Sequence, residues 1–79
     1  MRARWKYVCY IGDDGKEVLE AFEPEIIHSQ YVENEGIPPA SLVSAGFATM
    51  HGECYGASTS LGISSRPHQD EALLRERIG

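Results

Sequence analysis

Seventy-nine residues, 42% hydrophobic and 24% charged, suffice for one domain over positions 1–79 and lie too close to the averages of folded soluble proteins for a disordered chain. The net charge is −5, and an acidic surface repels phosphate backbones, which argues against sequence-independent nucleic-acid binding. No stretch approaches the roughly 18 apolar residues of a membrane span and no hydrophobic leader follows Met1, so a cytoplasmic chain with no membrane partner is expected.

The charge is unevenly placed. Residues 13–35 carry eight acids against Lys16 alone, residues 36–64 carry only Glu53, and the first six residues carry three bases. A basic or neutral partner suits such a surface better than an acidic one.

Trp5–Ile11 and Lys16–Phe22 are rich in β-branched and aromatic residues, and Asp14-Gly15 between them is a strong hairpin signal. A two-residue turn there sets Tyr7 opposite Phe22 and Tyr10 opposite Leu19, whereas a four-residue loop sets Tyr7 against Glu20 and Ile11 against Lys16. The tighter turn pairs more apolar side chains and is expected. A helix over Pro24–Glu35 follows, with Pro24 in its first turn, Glu23 and Glu25 at its positive end and Gly36 closing it. Its apolar stripe is Ile27 and Tyr31 with His28 and Val32. Ile37-Pro38-Pro39 cannot continue the helix and is extended.

Leu42–Met50 and Glu53–Leu61 flank a His51-Gly52 turn and form a second hairpin, in which Phe47 faces Gly56 and covers its missing side chain. With so few charges, these strands belong in the middle of the sheet or under cover on both faces. Ser64 or Ser65 then offers a cap, Pro67 enters the first turn, and a second helix buries Leu74 and Ile78 with Leu73 beside them, ending at Gly79. The fold class is therefore α+β, in the order ββαββα, with an antiparallel four-stranded sheet and two helices packed on it.

His51, Glu53 and Cys54 crowd one hairpin tip and suggest half of a metal site, but Cys9, His28 and His68 supply no paired spacing for the other half, so neither metal nor cofactor is expected. Cysteine catalysis needs a histidine beside the nucleophile, and Cys54 with His51 or His28 is the candidate. Gly56-Ala57-Ser58-Thr59-Ser60 lacks the second glycine of a nucleophile elbow, and the run to Gly62 lacks the lysine of a phosphate loop. Cys9 and Cys54 are expected to stay reduced. The preferred surface is Ser58, Ser60, Arg66 and His68, where hydroxyls alternating along an uncharged strand lead to a helix start with a cation and free N–H groups, suited to a carboxylate or phosphate.

Val43-Ser44-Ala45-Gly46-Phe47, then Cys54-Tyr55-Gly56-x-Ser58-x-Ser60-Leu61-Gly62 and Ser65-Arg66-Pro67, resemble a pattern in small uncharacterised bacterial and prophage-type proteins, and Ile27-His28 fits it loosely. The resemblance covers about the last two-thirds of the chain. It implies a bacterial or phage setting and carries no catalytic residue across. The expected function is a non-enzymatic protein-binding or regulatory accessory module whose partner is another protein. The alternative is a small enzyme or metal-binding domain using Cys54 and His51. Convergence of Cys54 with the histidines in the folded chain favours the latter, and dispersal favours the former.

Overall fold

A computed structural model describes residues 4–78, the last of these by its backbone alone. Strands β1 (Arg4–Ile11) and β2 (Glu17–Phe22) form the first hairpin, and α1 (His28–Glu35) and a short 3-10 turn (Pro39–Ser41) lead to β3 (Leu42–Thr49). Three two-residue strands follow, β4 (Cys54–Tyr55), β5 (Ala57–Ser58) and β6 (Ile63–Ser64), and then α2 (Pro67–Ile78). The main sheet is antiparallel in the order β2-β1-β3-β4, and β5 and β6 make a separate small hairpin.

The apolar run of β1 is explained by its central place, because both of its faces are covered. Tyr7, with Leu19, Ala48, Cys54 and Leu74, forms one core cluster beneath α2; Val8, with Phe22, Val32, Ile37 and Ala45, forms another beneath α1. The two helices thus lie on opposite faces. On the α1 face rings continue the core: Phe22 stacks on Tyr31 with centroids 4.0 Å apart, and His28 stands edge-on to Phe22 and to Phe47. The radius of gyration, 11.4 Å, is what one compact body of this length gives.

Both hairpin registers differ from expectation by one residue. Tyr7 pairs with Ala21 and Tyr10 with Val18, midway between the two arrangements considered, and Phe47 pairs with Tyr55 instead of Gly56. The turns explain it. Gly12 N–H donates to the Lys16 carbonyl and Gly15 N–H to the Gly12 carbonyl, while Thr49 N–H donates to Glu53 and Gly52 N–H to Thr49, so each loop has three residues. Its last residue, Gly15 or Gly52, has φ of 81° or 86°, the left-handed conformation that a bulged three-residue loop requires of glycine. The Phe47 ring nevertheless lies over Gly56, 2.9 Å from where a Cβ would stand there.

Helix α1 begins at His28, four residues after Pro24. Glu23 to Ile26 form a turn, closed by Ile26 N–H on the Glu23 carbonyl, and Lys6 Nζ donates to the Ile26 carbonyl at 2.9 Å. That turn puts Ile26 onto the core and leaves Ile27, expected in the buried stripe, 56% exposed. Gly36 closes the helix as expected, with φ of 68°. The strand expected over Glu53–Leu61 is broken at Gly56, where φ is 80°, and the chain turns back as β5 and β6. Helix α2 buries Leu74 with Leu73 beside it as expected; Gly79 and the Ile78 side chain lie outside the described residues.

Candidate functional site

Asp70, in the first turn of α2, is 0% exposed, and five donors surround its carboxylate. Oδ2 accepts from the Tyr7 hydroxyl at 2.5 Å and from Arg66 N–H at 2.9 Å; Oδ1 accepts from Ser44 Oγ at 3.0 Å and from Arg66 Nε and Nη2 at 3.2 and 2.9 Å. A phenol has one proton, so Tyr7, while donating to Asp70, accepts from Ser65 Oγ at 2.6 Å. Burial, and then Asp70, raise the Tyr7 hydroxyl far above its ordinary range, so it stays a donor. Arg66 reaches on to both carboxylate oxygens of Glu17 at 3.1 Å and to Cys9 Sγ at 3.4 Å.

These bonds answer the question of what meets the start of α2. Asp70 takes the Arg66 N–H, where Ser64 or Ser65 was expected to cap, and Ser65 turns onto Tyr7. The carboxylate that a helix start with Arg66 was judged suited to receive is supplied by the chain itself, as Asp70 and Glu17.

Of the four preferred site residues, Ser58 and Ser60 come together, their hydroxyls 3.5 Å apart. Ser58 is buried and accepts from Leu61 N–H, and Ser60 accepts from Ser29 N–H, serving the first turn of α1 from 31 residues away. Arg66 is held on the α2 side with Asp70 and Glu17, and His68 is exposed in the first turn of α2. Among the described residues no hydrogen bond joins the serine pair to Arg66 or His68.

The candidates for nucleophilic or metal chemistry are dispersed. Cys54 is buried beneath α2, its N–H donating to Glu71, while His51 is exposed at the hairpin tip and His28 is 3% exposed on the other face. His28 Nε2 donates to the Gly46 carbonyl at 3.0 Å, and burial lowers its pKa. Burial likewise pushes the Cys9 and Cys54 thiols up to about 11, away from the thiolate form. The two cysteines sit on β1 and β4 with β3 between, which sets their Cα atoms at least about 9.5 Å apart, beyond disulfide reach. Among the described residues no three potential ligands gather to hold a metal ion, and no helix is long and apolar enough to cross a membrane.

What sequence reasoning missed is an apolar opening at the end of the sheet. Trp5 is 47% exposed and Met50 60%, and with Ala21, Ala48, Thr49 and Leu74 they line a cleft of ≈ 370 Å³ between the second hairpin tip and α2. A second depression, of ≈ 210 Å³, lies on the other side of Trp5 against Glu23, Pro24 and Glu25. The signal was the tryptophan at the start of β1, a residue type that is highly buried on average and so does not announce an open site. No protein-family model, curated protein or solved structure matches the chain.

Proposed function

We propose that this chain is a non-enzymatic protein-binding or regulatory module, an accessory of the bacterial or phage kind working in the cytoplasm, and that another protein seats on the second hairpin and α2. The observation that carries the reading is the open cleft walled by Trp5 and Met50. In a domain this small, leaving a tryptophan and a methionine half out of the core forgoes about 1.5–3 kcal/mol of burial, and these two residue types anchor interfaces. The dispersal of Cys54, His51 and His28 supports the same reading against the enzymatic or metal-binding one.

The test is a pair of variants, Trp5→Ala and Met50→Ser, whose folding is checked by thermal melting. A partner identified with the unaltered chain should lose most of its affinity for both. A partner indifferent to both, or a reaction lost on Cys54→Ser with melting unchanged, would replace this reading.

A further inference from the structure

β2 is the outer strand of the sheet on one side, and its pairing with β1 fixes which of its backbone groups are spare. Gly12 N–H donates to the Lys16 carbonyl at 2.8 Å, so hydrogen-bonded pairs continue alternately at Tyr10/Val18, Val8/Glu20 and Lys6/Phe22. Glu17, Leu19 and Ala21 therefore turn their N–H and C=O groups away from β1. Among the described residues no backbone hydrogen bond from a turn, loop or cap reaches them.

The side chains of the same three residues point to the α2 face, where Leu19 packs with Leu74 and Leu73. Beside that edge the surface is hollow. Glu17, Val18 and Leu19 with Leu73, Glu76 and Arg77 line a depression of ≈ 250 Å³, and Ala21, the next residue facing the same way, lines the Trp5 cleft with Leu74.

We propose that the β2 edge is a strand-addition site, taking an extended segment of another protein that carries apolar side chains at alternate positions and lysine or arginine at its ends. The proposal rests on the protein-binding reading above and names its occupant. Main-chain bonds to the exposed Glu17 and Ala21 would supply the register, with Leu19, itself 3% exposed, between them. Incoming residues opposite Leu19 and Ala21 lie about 7 Å apart on the α2 face, over the two hollows. Charge selects the partner: residues 13–25 hold six carboxylates and one base, Lys16, and although Glu17 is already paired with Arg66, the acids at the two ends of β2, Asp13, Asp14 and Glu23, leave those ends negative. The same carboxylates oppose a second copy of β2, which would place glutamate near glutamate across the new pair.

The test is a nuclear magnetic resonance titration of the full chain. The probes are nine-residue peptides with two lysines at each end, Val, Ile, Leu, Phe or Tyr at the third, fifth and seventh positions, and serine between. The best members should bind saturably and shift the amides of Glu17, Leu19 and Ala21. N-methylation of the peptide residues that face β2 should weaken binding about tenfold or more, N-methylation of the alternate residues much less, as the loss of two hydrogen bonds implies. Exchange of the lysines for glutamates should abolish it. Ala21→Pro, which removes an outward N–H and no β1–β2 bond, should act like the N-methyl peptides. If it fails to fold, the N-methyl series on the unaltered protein decides. Absence of binding by every peptide overturns the proposal, as does concentration-dependent self-pairing of the chain through β2. Binding that shifts Trp5 and Met50 alone and ignores both N-methylation and Ala21→Pro overturns strand addition while leaving the protein-binding module standing.

Discussion

The Tyr7 hydroxyl and the Asp70 carboxylate, 63 residues apart in the chain, meet at 2.5 Å in a place neither shares with solvent. The bond fastens the first turn of α2 to the middle of the sheet. Around it Ser44, Ser65 and Arg66 complete the network, and among the described residues no buried side-chain polar atom is left without a partner. A polar network so complete specifies where α2 sits more sharply than apolar packing alone.

Tyr7→Phe removes one donor from this carboxylate and leaves its shape almost unchanged, so unfolding free energy should fall by about 1–3 kcal/mol. Asp70→Ala is expected to do more. It strands the Tyr7 and Ser44 hydroxyls and the Arg66 guanidinium, and a loss of about 3–5 kcal/mol is comparable with the whole stability of a chain this size. Urea titrations of the two variants check the order. Equal stabilities for Asp70→Ala and the parent would show that the network contributes nothing net.

Gly46 faces the same layer, and its lack of a side chain has a local cause. A Cβ at this position would stand 2.5 Å from the Tyr55 carbonyl oxygen and 3.1 Å from Ser65 Cβ, where the chain passes β3 on its way to α2. Backbone cannot yield as a flexible side chain can. Gly46→Ala should therefore cost about 1–3 kcal/mol or more by overpacking, although alanine is otherwise the better strand residue. A melting temperature at or above the parent's would contradict it.

Much of the architecture was legible before the structure because it depends on local chemistry. Asp14-Gly15 and His51-Gly52 marked both hairpins, Gly36 marked the end of α1, and the lack of charge over residues 36–64 marked β3 as a covered strand but misled for its partner, since β4 is two residues at the edge of the sheet with Tyr55 41% exposed. The register was not legible, since a glycine in the left-handed conformation serves two-residue and three-residue loops alike. Nor was Asp70. An acid in the first turn of a helix is ordinary, and only Tyr7 and Ser44, brought from β1 and β3, reveal that it is buried. The Trp5 cleft escaped for the same reason: exposure is set by where α2 stops covering the sheet.

Both thiols are buried and pushed up to about 11, chiefly by desolvation. At pH 8 the native chain should react with a thiol reagent at a rate at least about a hundredfold below that of an exposed cysteine, as the thiolate fraction alone dictates. In denaturant without reductant two thiols should titrate promptly. Fast labelling of native Cys9 or Cys54 would mean that the layer beneath α2 opens often.

His28 supplies a pH dependence of definite sign. Its ring is enclosed by Phe22 and Phe47, it donates from Nε2 to the Gly46 carbonyl, and burial, assisted by the Lys6 charge, lowers its pKa from 6.5. The unfolded chain therefore binds a proton at this residue more readily than the folded one, and stability must rise with pH wherever that difference holds. The contribution of neutral His28 is complete above the unfolded pKa, about 6.5, and is lost as the pH falls below it toward the folded value. Urea midpoints measured at steps from pH 7.5 to 5 should decline over this window in the parent. In His28→Gln, which keeps a donor for Gly46 and has no titrating ring, the decline above pH 5 should disappear from a lower starting stability. A parent midpoint that is flat or rising as the pH drops through 6.5 would show that the ring accepts its proton without penalty.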